Sequence, residues 1–81
     1  MTEHEELMTI TSEECGEVIQ ACSKMLRFPS DQSTEMFKKE LGDLYCMMEI
    51  CIEKQLLTYT DLVDGSKAKR HKLKQWSNLE L

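Results

Sequence analysis

The sequence predicts an all-α fold in which an antiparallel helical hairpin is followed by a third helix. Apolar residues recur at helical rather than alternating spacing in both halves of the chain. The single proline, Pro29, stands with the polar residues 30–34 between two long periodic segments, which is typical of a short turn. With 81 residues and 41% hydrophobic content, the chain is expected to form one domain over residues 1–81, with a loose tail after about residue 77.

The first helix is predicted to run from near Glu3 to Arg27. Thr11 and Glu14 have the spacing of a capping box, which would restart the helix at that point. Because the apolar spacing continues across them, we favour one uninterrupted helix.

The second helix is predicted to begin at Ser33 or Thr34 and to end at about Gln55. A short connection follows, and Thr60 is a candidate N-cap for the third helix. The helical pattern fades after Trp76, so we expect the remaining residues to form the tail.

Charge is distributed unevenly along this acidic chain, whose formal net charge is −5. Residues 1–53 carry twelve acidic and four basic side chains, whereas five basic side chains lie within residues 67–74. An acidic balance argues against a dedicated nucleic-acid-binding protein. No apolar run approaches the ~20 residues needed to cross a bilayer, and no signal peptide is recognisable. We therefore expect a soluble cytoplasmic protein whose four cysteines are reduced and mostly packed.

Acidic side chains interrupt the apolar face of each hairpin helix. Glu14 and Glu17 fall within the apolar arc of the first helix, and Glu40 and Asp43 within that of the second. Two helices joined by a short turn pack antiparallel, so the two acidic pairs are expected to face inward and converge. Carboxylates that lie so near to each other repel one another unless a hard cation lies between them. The pattern predicts a site for Mg²⁺, with Mn²⁺ as a substitute.

Two other interpretations of the acidic pairs fit the sequence less well. A single pair on a helix usually belongs to a solvated face, but two pairs on apolar arcs are less typical of one. A carboxylate-bridged di-iron site would require Glu-x-x-His, whereas the partner residues here are Glu17 and Asp43. Ligation by oxygen atoms alone favours Mg²⁺ or Mn²⁺ over iron or zinc.

These motifs resemble those of the MazG-type nucleotide pyrophosphohydrolases. E-E-x-x-E at Glu13, Glu14 and Glu17 is followed by E-x-x-D at Glu40 and Asp43. The segments SEECGEVIQACSK, RF, KELGDL and KLKQWS are also similar to those of small, often phage-encoded, single-domain members. The resemblance spans about residues 10–78.

The resemblance implies an all-α oligomer built on a dimer, which would act in nucleotide-pool control, in the host cytoplasm if phage-encoded. It implies Mg²⁺-dependent cleavage of a nucleoside triphosphate to the monophosphate and pyrophosphate. Glu14, Glu17, Glu40 and Asp43 would be the metal ligands, and Glu13 would lie beside them and help to orient water. The runner-up interpretation is a non-catalytic helical oligomer whose acids hold a structural cation.

Hydrolysis at the α-phosphorus by metal-activated water also needs donors to the phosphate oxygens. Lys24 is the first candidate, because it lies within ~20° of Glu17 on the helical wheel. Arg27 is a further candidate within the RF segment. Lys67, Arg70 and Lys72 would either close over the triphosphate from the third helix or form a solvated basic face, and we weigh these two interpretations equally. A structural cation site would have no need of such donors.

The apolar residues of the second helix also predict self-association. They spread around more than one side of the helix, and they are Phe37, Leu41, Leu44, Met48 and Ile52. A second copy of the hairpin would cover them and complete a four-helix-bundle core. We therefore expect a homodimer or a dimer of dimers.

Overall fold

The computed structural model describes residues 1–81 and contains three α-helices and no strand. Helix α1 spans Glu3–Arg27, α2 spans Asp31–Glu53 and α3 spans Tyr59–Trp76. The prediction of an all-α fold is confirmed. No helix combines the length and the apolar character that crossing a membrane requires.

The chain divides into two compact units. The first, Met1–Cys51, contains α1 and nearly all of α2, and it is the helical hairpin. The second, Ile52–Leu81, contains the end of α2, the connection and α3.

Helix α1 is continuous, as predicted. It begins after Thr2, whose hydroxyl accepts a hydrogen bond from the backbone N–H of Glu5, while the Glu5 carboxylate accepts one from the backbone N–H of Thr2. These two bonds form a capping box. Thr11 does not cap a new helix, because its hydroxyl donates to the carbonyl of Leu7 at 2.7 Å and lies within an unbroken helix.

Helix α2 begins at Asp31, two residues before the earliest predicted start. The hydroxyl of Ser30 accepts from the backbone N–H of Ser33 at 3.0 Å, and the hydroxyl of Ser33 accepts from the backbone N–H of Ser30 at 2.9 Å. This reciprocal pair satisfies two backbone donors at the helix start, so Ser33 lies in the first turn rather than at the cap. The helix ends at Glu53 rather than Gln55, which has a left-handed φ of 63°.

The predicted cap of α3 at Thr60 is wrong. Thr58 is the N-cap, because its hydroxyl accepts from the backbone N–H of Asp61 and the Asp61 carboxylate accepts from the backbone N–H of Thr58. A capping box requires an acidic or amide residue three positions after the cap. Thr60 cannot form one, because the residue at that position is Val63. The helix ends at Trp76, where the prediction placed its end.

The interface between α1 and α2 has few fully buried side chains. Those of α1 are Leu7 and Ala21, and those of α2 are Ser33, Glu40, Met47 and Cys51. Of the four free cysteines only Cys51 is buried, so the expectation that most of them are packed is wrong. The other three lie on helix faces that this hairpin leaves exposed.

Candidate metal centre

Heptad spacing places two carboxylates inside the hairpin interface. On α1, Leu7 and Ala21 lie seven residues before and after Glu14; on α2, Ser33 and Met47 lie seven residues before and after Glu40. Residues seven apart fall on nearly the same side of a helix. Glu14 and Glu40 therefore occupy the central positions of two facing rows whose other members are small or apolar.

Three carboxylates meet at this level of the hairpin. One oxygen each from Glu14, Glu40 and Asp43 can be chosen so that all three lie within 4.8 Å of one another. The Glu40 side chain is only 10% exposed, whereas that of Asp43 is 42% exposed. The group is thus nearly buried at Glu40 and open to solvent at Asp43. We call these three residues the carboxylate cluster.

The cluster perturbs the ionisation of Glu14. Removal of water from around this carboxyl is the largest cause that raises its pKa, followed by the negative charges of Asp43 and Glu40. The ammonium of Lys39 acts in the opposite direction, and Glu17 adds a smaller repulsion. Glu14 therefore carries its negative charge at a free-energy cost in the protein without a metal.

Lys39 is the one cation in contact with the cluster. Its Nζ donates to Oδ2 of Asp43 at 2.9 Å and lies 3.7 Å from Oε1 of Glu40. The hydrogen bond to Asp43 is the main cause that raises the pKa of Lys39. Helical spacing on the apolar arc of α2 does not single out this residue. Its spacing of four residues from Asp43 on one helix is the signal that could have found it.

The cluster suits a hard divalent cation. Its donors are all carboxylate oxygens, which Mg²⁺, Mn²⁺ and Ca²⁺ prefer. Three carboxylates face a single ammonium, so two negative charges remain without a counter-charge at the cluster. A divalent cation would reduce that excess of negative charge, and Glu14, Glu40 and Asp43 are the residues that could hold it.

Glu17 and Glu13 lie outside the carboxylate cluster. Both are exposed, so the inward orientation expected of Glu17 is not observed. Glu17 follows Glu14 by three residues, so its side chain is rotated about 60° from that of Glu14 around the helix axis. This rotation places Glu17 at the edge of the interface rather than at its centre. It remains close enough to Glu14 to influence that group electrostatically. The ligand role of Glu17 and the supporting role of Glu13 stay predictions.

A pocket opens at the turn end of the same hairpin. Its volume is ≈ 370 Å³, and it is lined by Lys24, Phe28, Ser30, Gln32, Ser33 and Met36. Met36 precedes Glu40 by about one turn of α2, so the pocket lies on the side of the cluster nearer the hairpin turn. Lys24 is exposed and forms no ion pair. The adjacent Arg27 guanidinium lies 5.6 Å from the centre of the Phe28 ring.

The basic residues of α3 belong to the second unit. Lys67, Arg70 and Lys72 are all exposed, and the role predicted for them in substrate binding stays a prediction. Within the same helix, the Lys69 ammonium lies 5.6 Å from the centre of the Trp76 ring. Part of the basic run thus packs against its own helix.

Comparison with known proteins yields one family assignment. No curated protein and no solved structure matches the chain. The model of the MazG nucleotide pyrophosphohydrolase domain matches residues 2–76, which cover both hairpin helices and α3. The chain therefore belongs to the MazG nucleotide pyrophosphohydrolase family.

Proposed function

We propose that this protein is a Mg²⁺-dependent nucleoside triphosphate pyrophosphohydrolase that releases the nucleoside monophosphate and pyrophosphate. One observation carries the proposal: the carboxylate cluster lies within the helical interface of a chain that belongs to the MazG family. Mn²⁺ is the expected substitute, since it accepts the same oxygen ligands.

The position of Glu40 argues that the cluster serves a purpose other than stability. A nearly buried carboxylate is costly unless it is paired, and its contact here is a largely exposed lysine at 3.7 Å. A bound cation would offset both the loss of hydration and the repulsion from Glu14 and Asp43. In the proposal these three residues are ligands, and Glu17 supplies a fourth carboxylate from the edge of the interface.

A divalent cation at the cluster would supply charge neutralisation at the phosphates and lower the pKa of a bound water. The side chains of the protein would do the rest. Glu13, next to Glu14, orients the attacking water. Lys24 donates to the phosphate oxygens, since it lines the pocket and has no ion pair of its own.

The pocket beside the cluster suits the nucleoside end of the substrate. Its ≈ 370 Å³ falls within the range of ligand pockets of about 300–1,000 Å³. Phe28 offers an aromatic face for stacking, and Gln32 offers an amide donor and acceptor. We propose that Arg27 approaches the phosphates from the same turn. Lys67, Arg70 and Lys72 are proposed to approach the substrate from α3.

The test is to incubate the protein with Mg²⁺ and a panel of ribo- and deoxyribonucleoside triphosphates, and to separate the products. We expect monophosphate and pyrophosphate from every active substrate. Orthophosphate and diphosphate would place the attack at the γ-phosphorus and contradict the proposal. Glu40→Gln should abolish hydrolysis, while Glu49→Gln, an exposed glutamate on the same helix, should leave it unchanged. Metal binding without hydrolysis of any substrate would favour a structural cation site.

A further inference from the structure

Two adjacent lysines of α2 make different ion pairs. Lys38 pairs with Glu35 at 3.2 Å, away from the carboxylate cluster, whereas Lys39 contacts both Asp43 and Glu40 of the cluster. Both side chains are largely exposed, at 67% and 69%. The two lysines therefore differ mainly in which carboxylates they neutralise.

The ammonium of Lys39 and a divalent cation would compete for the same carboxylates. Lys39 donates to Oδ2 of Asp43, and the Asp43 carboxylate is one of the three that the cluster offers. Two cations in contact with the same carboxylate repel each other. Because the lysine side chain is long and mostly in solvent, it can move away without any change in the backbone.

We propose that Lys39 is an exchangeable counter-cation: it neutralises the cluster before the metal binds, and its displaced ammonium then binds the triphosphate oxygens. This inference rests on the proposed function. Lys39 lies one helical turn before Asp43, so the displaced ammonium stays beside the cluster. A bound nucleoside triphosphate brings several negative charges to the same place, and these replace the carboxylates as partners of Lys39.

The exchange predicts opposite effects on the two ligands. Without Lys39 the metal no longer has to break an ion pair, so its affinity should increase. The substrate, in contrast, loses a charged donor, so its affinity should decrease. A lysine that only stabilised the helix would move neither affinity in this manner.

Isothermal titration of the 81-residue chain with Mn²⁺, in the absence of nucleotide, tests the predicted increase in metal affinity. We expect Lys39→Gln to bind Mn²⁺ about twofold to fivefold more tightly than wild type, the range expected for breaking one exposed ion pair. Lys38→Gln is the matched control and should bind as wild type does. Lys39→Arg keeps the positive charge and should also remain within about twofold of wild type.

Steady-state kinetics at saturating Mg²⁺ test the predicted decrease in substrate affinity. The KM for the triphosphate should rise at least about fivefold in Lys39→Gln and stay within twofold in Lys38→Gln, as expected when one charged hydrogen bond is lost. Helix content by circular dichroism checks that each variant is folded.

Unchanged or weaker Mn²⁺ binding in Lys39→Gln would overturn the exchange, and an unchanged KM would overturn the role at the phosphates. If wild type binds no Mn²⁺, both this inference and the proposed function fail. If it binds Mn²⁺ but hydrolyses no triphosphate, the proposed function fails, the phosphate role falls with it, and the titration alone decides the counter-cation role.

Discussion

At the scale of single residues, Glu14 places a charge where packing would favour an apolar side chain. It lies midway between Leu7 and Ala21, in a row where an apolar side chain would pack against α2. Burial and the charges of Asp43 and Glu40 raise its pKa, so the folded protein disfavours the ionised form. For a carboxyl group with a raised pKa, folding is favoured at low pH and loses stability as the pH rises through the folded pKa.

Glu14→Gln should therefore stabilise the metal-free protein at neutral pH. In wild type the carboxylate is ionised there and repels its neighbours, whereas the amide carries no charge. Below the ordinary pKa of 4.5 the carboxyl is protonated in both folded and unfolded states, so the difference between the variants should vanish. Thermal unfolding in the presence of a chelator, recorded from pH 3 to 7, measures this.

Glu13→Gln is the control, since Glu13 is exposed and lies outside the cluster. The thermal unfolding midpoint of Glu13→Gln should differ little from that of wild type at every pH. A Glu14→Gln midpoint below wild type at pH 7 would contradict the repulsion argument. Addition of Mg²⁺ should reverse the order, because only wild type then gains the free energy of binding.

Lys24→Ala should lower kcat/KM at least tenfold, about 1.4 kcal/mol of transition-state stabilisation. The reason is that Lys24 lines the pocket beside the cluster and has no ion pair that would occupy its ammonium. Lys74→Ala is the matched control, because that lysine is exposed in the last turn of α3. Equal small effects in the two variants would remove Lys24 from the proposed donors.

The sequence identified three of the side chains that come together but not the cation beside them. Helical spacing on an apolar face is enough to place Glu14, Glu40 and Asp43. It could not separate Glu17 from Glu14, because a helical arc has no sharp edge and about 60° of rotation decides exposure. Lys39 was missed because it lies outside the apolar arc, where most lysines are simply solvated.

At the scale of elements, the side chains that cap the helices determine where each helix begins. Apolar periodicity predicted three helices, and the predicted ends of α1 agree with the observed ones. It misplaced the starts of α2 and α3, because the first turn of a helix is fixed by local hydrogen bonds rather than by packing. Ser30 with Ser33, and Thr58 with Asp61, make those bonds.

Thr58→Ala should destabilise α3 by about 1 kcal/mol, since it removes the acceptor for the N–H of Asp61. Thr60→Ala is the control, because Thr60 is inside the first turn and caps nothing. Amide hydrogen exchange over residues 59–65 reports the change locally, with faster exchange expected in Thr58→Ala alone. Equal protection in the two variants would mean that the capping box contributes nothing to α3.

At the scale of the whole molecule, the hairpin buries few apolar side chains. Leu7, Ala21, Met47 and Cys51 are the only buried hydrophobic residues of the chain. None of the apolar residues of α2 expected to need a partner is fully buried, and Leu41 is 40% exposed. On α1, Ile19 and Leu26 are seven residues apart, on one side of the helix, and both are exposed. So much exposed apolar surface on both helices is typical of a chain that associates.

We therefore expect at least a homodimer, in which two hairpins form a four-helix core, or a dimer of dimers. Ile19 is 70% exposed and Leu26 is 85% exposed, so Ile19→Glu should shift the protein towards monomer by placing a charge in the apolar contact. Gln20→Glu adds the same charge at the neighbouring exposed position and should leave the assembly intact. Light scattering at micromolar concentration measures both variants and wild type. A wild-type protein that is active at the mass of one chain would contradict the packing argument, because one hairpin would then suffice for both stability and catalysis.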